Sequence, residues 1–185
     1  MSEPQPSSSH DATGRPSSDI GDAKGVFVVE VTCEQELDDP EPPEPWLSEQ
    51  LSRLAQLEGV ESGMVTVTIV DDQRMVELHQ RYRQEAKTTD VLSFDLRDDP
   101  AGAVEGDLVL CVDEARRQAD QRGHEMRLEL LLYALHGLLH LLGYDDRYPE
   151  DAQRMHRRED ELLIRAGFGA VYGMKSPNDQ CTNDR

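Results

Sequence analysis

The sequence predicts an α+β domain, a mixed sheet of about four strands packed with about five helices. Three observations predict it. Four short runs rich in β-branched and aromatic residues read as strands. Stretches with apolar residues at helical spacing lie between and after them. One of these, MRLELLLYALHGLLHLLGYDD at 126–146, carries leucines around nearly its whole circumference, which marks a helix buried on most sides. A chain of 185 residues is long enough for one domain with a real core and too short for two comfortable ones.

In chain order, residues 1–25 are rich in Ser, Pro, Asp and Gly and are expected to be a disordered arm. VFVVEV at 26–31 makes the first strand, and the acidic, proline-rich DDPEPPEP is a loop. Trp46 opens WLSEQLSRLAQLEGV, where Leu47, Leu51, Leu54 and Leu57 share a helix face and Gly59 ends the run. MVTVTIV at 64–70 reads as a central strand. Asp71 or Asp72 caps the next helix, DQRMVELHQRYR, with Met75, Leu78 and Tyr82 facing inward. TTDVLSFDL at 88–96 is the third strand, DDPAGAVEGD a loop, and LVLCV at 108–112 the fourth strand. Asp113 caps a helix with Ala115 and Ala119 inside, ending near Gly123. After the histidine helix, a last helix runs from Pro149 to Ala166 with Met155, Leu162 and Leu163 on its apolar side. Phe168, Val171 and Tyr172 pack back onto the body, and 174–185 is a loose tail, so one domain spans 26–173.

The formal net charge of -19 and pI near 4.5 argue against a generic nucleic-acid binder and against DNA as a partner, because phosphate affinity is usually supplied by Lys and Arg. The charge is uneven: residues 26–50 hold eight acids and no base, whereas 151–185 hold six of each sign. A polyanion would have to meet a local basic surface such as Arg154, Arg157, Arg158 and Arg165, a set that reads first as a solvated helix face with ion pairs. The longest apolar stretch is broken by two histidines and a glycine, so no membrane span is expected, and the N-terminus lacks the pattern of a secretory signal. Cys33, Cys111 and Cys181 are widely spaced and read as reduced cysteines of a cytosolic protein.

The chemistry gathers at 136–146. His136 and His140 are four apart, so on a helix both imidazoles point from one face at a common atom. Gly143 is a left-handed stop, and Asp146 has the reach to swing back toward His140. The reading is a divalent metal held by His136, His140 and Asp146, with a position left open for water. The competing reading makes both histidines core residues bonded to backbone or carboxylate groups; the glycine stop and acidic pair favour the metal.

Three segments stand together: RYRQEAKTTDVLSFDL at 81–96, GDLVLCVDEA at 106–115 and HGLLHLLGYDD at 136–146. They resemble the YbeY family of rRNA-maturation endoribonucleases, whose HGxLHLxGYDH motif has ten of eleven positions matched or free here. The resemblance implies a zincin-like α+β fold and zinc bound through three histidines. It also implies a single-strand-specific endoribonuclease of late-stage ribosome quality control and small-subunit rRNA 3′-end maturation, working in the cytoplasm with rRNA, the small ribosomal subunit and its proteins as partners. His136 and His140 match the first two ligands, Arg83 the arginine of a Y-R motif, and Thr89 to Phe94 the TDVLSF strand. The third histidine is Asp146 here, which makes the site less positive and opens the choice of metal toward manganese or iron. His79 and Asp95 are smaller departures, standing where asparagine and proline are common.

Phosphodiester hydrolysis needs a nucleophile near neutral pH and a positive group on the phosphoryl oxygens. Arg83 is the candidate guanidinium, with a plain salt bridge as its competing role. Asp90 and Asp145 are candidates to orient a ligand imidazole from behind, Asp90 alternatively capping a turn. Ser93 and Cys111 are expected to pack rather than react. A metalloprotease-like hydrolase is disfavoured, because Gly137 stands where its glutamate base would be, and His124-Glu125 lacks the second histidine at Leu128. The other rival is a non-enzymatic ribosome-assembly factor with a structural metal, for which His156 would be a fourth ligand.

Overall fold

The computed structural model describes residues 25–35, 37 and 42–171, which form β1 (Phe27–Cys33), α1 (Pro43–Glu58), β2 (Gly63–Val70), α2 (Asp72–Arg83), β3 (Val91–Asp95), β4 (Val104–Cys111), α3 (Val112–Arg122), α4 (Met126–Leu141) and α5 (Pro149–Ala166). The expected arm (Gly25 apart) and tail, with Tyr172 and Cys181, lie outside the described residues. The strand order is β1-β2-β4-β3; β1 and β4 run parallel to β2, and β3 runs antiparallel to β4 at the sheet edge. The expected mixed sheet of four strands with five helices is the one observed.

Alternation along the strands sorts side chains onto two faces. Val65, Val67 and Ile69 of β2 and Leu108 and Leu110 of β4 join the main core with α1, α4 and α5, whereas Val70, Leu92 and Cys111 meet Met75 of α2 on the other face. The helix α4 is the centre of the main layer: Leu130, Leu131, Leu132, Leu135, Leu138, Leu139 and Leu141 are all buried, each contributing roughly 1.5–3 kcal/mol by leaving water. It comes close to the sheet at Gly137. A Cβ there would stand 2.7 Å from Leu108 Cδ2 and 3.2 Å from Val91 Cγ2. The residue after the first histidine is therefore a packing contact, with no room for a longer side chain.

Several boundaries differ from expectation, each for a local reason. The helix α1 begins at Pro43 rather than Trp46, since a proline in the first turn loses no helical hydrogen bond and Glu44 suits the helix dipole. The strand β4 begins at Val104 rather than 108, because VEGD at 104–107 pairs in register with β2. A Cβ on its Gly106 would lie 2.7 Å from the Phe94 carbonyl, so this glycine serves close approach rather than a turn. Asp113 does not cap α3; Cys111 is at the cap position, and the Asp113 carboxylate accepts from the Asp72 amide at 3.0 Å, joining α3 to α2. Asp71 does cap α2, accepting from the Arg74 amide at 2.7 Å. Tyr82 is half exposed, set edge-on against Phe94 at 5.0 Å, rather than inside. Cys111 is buried as expected, and burial pushes its thiol up to about 11.

The C-terminal end of α4 is tied down from the sheet side. Gly143 takes φ 92°, the Tyr144 amide donates to the Leu139 carbonyl at 3.0 Å, and the Arg97 guanidinium donates to the Leu141 carbonyl while pairing with Asp95. Carbonyls left without helical partners are thereby satisfied, and the turn that follows is aimed back along the helix. Among the described residues no helix is long and apolar enough to cross a membrane.

Candidate metal centre

One turn of α4 separates His136 from His140, and their Nε2 atoms lie 3.0 Å apart. The turn after Gly143 returns Asp146 to them, with Oδ2 at 3.6 Å from His136 Nε2 and 3.9 Å from His140 Nε2. Among the described residues these three make the group of His, Cys, Asp or Glu side chains able to share an ion, with ligand atoms within 4.8 Å of one another. His156 is not in that group.

The partners of the two imidazoles settle which nitrogens face inward. His136 Nδ1 donates to Glu159 Oε1 at 2.7 Å, and His140 Nδ1 donates to the Tyr144 carbonyl at 3.0 Å. With a proton on each Nδ1, each neutral ring presents a bare lone pair at Nε2. Two lone pairs and a carboxylate oxygen aimed at one point repel one another unless positive charge lies between them. A point equidistant from the three atoms stands about 2 Å from each, the length of a zinc–nitrogen or zinc–oxygen bond. The donor set therefore fits a divalent ion. Burial opposes protonation of His136, but the Glu159 carboxylate, with Asp90 and Asp146, outweighs it and raises its pKa.

These residues open onto a cleft of about 450 Å³ whose other walls are Arg83, Thr89 to Ser93 of the β3 segment, Asp95, Leu141, Asp145 and Arg147. Arg83, at the end of α2, shares this cleft with the triad, and no hydrogen bond or ion pair to the described residues engages its guanidinium. Asp90 and Asp145 line the cleft, but neither makes the expected hydrogen bond to a ligand imidazole. Asp90 accepts from the Thr89 hydroxyl at 3.0 Å and the Val91 amide at 2.9 Å, its alternative role as a turn cap. Asp145 is clamped by Arg147, which holds its carboxyl well below the usual range. The orienting groups are instead Glu159 and the Tyr144 carbonyl. Glu159 was discoverable: with Met155, Leu162, Leu163 and Ala166 it falls on the buried stripe of α5, and a carboxylate in such a stripe needs a partner. The Tyr144 carbonyl leaves no such mark, since backbone partners are not encoded in residue type.

Residues 30–167, most of the chain, match the family model described as Endoribonuclease YbeY. The chain belongs to the YbeY family. A curated YbeY endoribonuclease of Bacillus cereus is 39% identical over 134 residues, 66% of this chain and 86% of that protein. That of Bacillus cytotoxicus is 41% identical over 128 residues, 63% of this chain and 82% of that protein. The solution structure of TM1509 from Thermotoga maritima superposes with a TM-score of 0.50 at 23% identity, covering 75% of this chain and 91% of that one, a likeness of fold. Within the YbeY motif, this chain's departure at Asp146 falls on a side chain that reaches the histidine pair, so the substitution changes the charge of the centre and keeps a ligand-type atom in place.

Proposed function

We propose that this YbeY-family protein is a metal-dependent endoribonuclease that cleaves single-stranded RNA in the cytoplasm. Its substrate is the 3′ end of small-subunit rRNA during maturation, and it also serves late-stage ribosome quality control with the small subunit and its proteins as partners. The observation that carries the reading is the convergence of His136 Nε2, His140 Nε2 and Asp146 Oδ2 in a cleft that also contains Arg83. A bound ion supplies an activated water near neutral pH and Lewis-acid stabilisation of phosphoryl charge. The protein's own part is geometric. Glu159 and the Tyr144 carbonyl hold both rings by Nδ1, and Arg83 offers a planar fork to two phosphate oxygens. Zinc is the expected ion, with manganese and iron favoured relative to a three-histidine site by the oxygen ligand.

The rivals find less support. Gly137, packed 2.7 Å from Leu108 at its would-be Cβ, excludes a protease's glutamate base, and His124 is committed to the buried Glu129. A purely structural metal would call for a fourth protein ligand, and His156 is outside the cluster. The test is cleavage of a single-stranded RNA with and without chelator, alongside Arg83→Ala. Arg83→Ala should retain its metal and lose about 10²- to 10³-fold in cleavage rate; unchanged cleavage would remove Arg83 from the mechanism.

Asp146→His tests the departure from the family motif. It should keep the ion and, by raising site charge, move the pH optimum of cleavage downward. Loss of metal in that variant would show that Asp146 does not stand in for the third histidine.

A further inference from the structure

Resting on the metal-centre reading above, we propose that Tyr144 is a positioning residue for the centre, its hydroxyl anchored by Glu58, which Arg158 in turn holds. Tyr144 lies in the turn between two of the ligand candidates, His140 and Asp146. Its backbone is used on one side: the amide donates to the Leu139 carbonyl, and the carbonyl accepts from His140 Nδ1 at 3.0 Å. Its side chain is used on the other. The hydroxyl donates to Glu58 Oε1 at 3.0 Å, Arg158 Nε donates to Glu58 Oε2 at 2.6 Å, and Arg158 also reaches Glu161 at 2.7 Å. Glu58 is nearly covered, its side chain only 10% exposed, so the hydroxyl meets a fixed acceptor rather than a wandering surface carboxylate.

The turn needs such an anchor. Gly143 beside it takes φ 92° with nothing within 4 Å of a would-be Cβ, and the Asp146 side chain two residues on is 42% exposed. Packing therefore does not fix the turn at either point, whereas the Tyr144 ring packs against the main core and ends in a charged network. Loosening that ring would shift the carbonyl that holds His140 and the direction in which Asp146 returns. Arg158 and Glu159 are neighbours on α5, so one helix steadies both rings: Glu159 directly at His136, and Arg158 through Glu58 and Tyr144 at His140. Loss of supports of this kind behind ligand residues weakens metal binding.

The experiment is a zinc titration against a chromophoric chelator for the wild type, Tyr144→Phe, Glu58→Ala and the double variant, with melting temperatures of the chelator-treated proteins. Tyr144→Phe keeps the ring and should bind zinc about 10-fold more weakly, while its metal-free melting temperature stays within about 4 °C of the wild type. The double variant should bind no more weakly than the weaker single variant, because both changes break one chain of contacts. Wild-type affinity in Tyr144→Phe, or losses that add in the double variant, would overturn the proposal while leaving the metal centre standing. A wild-type protein that binds no zinc would overturn both.

Discussion

His136→Ala is expected to purify without stoichiometric metal and to lose RNA cleavage by about 10³-fold or more, and His140→Ala should do the same. With three protein ligands, removing one leaves a pair that includes a half-exposed carboxylate, too little to hold an ion against a chelator. The two variants differ in what they leave behind. The partner of His136 is Glu159, fully buried, whose second oxygen Oε2 already has no hydrogen-bond partner among the described residues. Deleting His136 strands that carboxylate, at a cost of about 1–3 kcal/mol. The partner of His140 is a backbone carbonyl beside half-exposed groups, and losing it costs less. Metal-free His136→Ala should therefore melt below metal-free His140→Ala. Elemental analysis of the purified proteins checks the first part, and unchanged metal content in either variant would count against the site.

Glu159 carries the second large effect, and its sign separates affinity from stability. Glu159→Gln keeps an oxygen able to accept from His136 Nδ1 but removes the negative charge that makes the imidazole a better ligand, so zinc affinity should fall about 10- to 100-fold. Glu159→Ala removes orientation as well and should fall further. In the metal-free protein the glutamine variant should be as stable as the wild type or more so, because a buried carboxylate with one unpaired oxygen is costly in itself. A competition titration and a melting curve on the same samples read both quantities. Wild-type zinc affinity in Glu159→Gln would show that the carboxylate is only a core group.

The parts of this fold that are legible in sequence are those written in side-chain period. The limits of α5, the capping Asp71 and the leucines of α4 all follow from local patterning, and so does the facing of His136 and His140, because an α-helix fixes what lies four residues on. The return of Asp146 follows from Gly143, whose positive φ lets the chain reverse. What is not legible depends on tertiary pairing. The edge position of β3, which lets Thr89 to Ser93 wall the cleft, depends on sheet order, and the early start of β4 depends on its register with β2. Gly106 and Gly137 look like turn or motif residues alone and prove to be points of close approach. Asp145 stands beside the histidines in sequence and Asp90 in the segment that walls the cleft, but nearer donors claim both: Arg147 for the first, the Thr89 hydroxyl and Val91 amide for the second. Glu159, 23 residues from His136, takes the place expected for them because α5 packs against α4.

His136, His140 and Asp146 are proposed to share a single ion. Anomalous scattering at the zinc edge from crystals of the zinc-loaded protein tests it most directly. One strong peak is expected about 2 Å from His136 Nε2, His140 Nε2 and Asp146 Oδ2 together. A peak bound elsewhere on the chain, or one that touches the histidines while Asp146 points away, would contradict it.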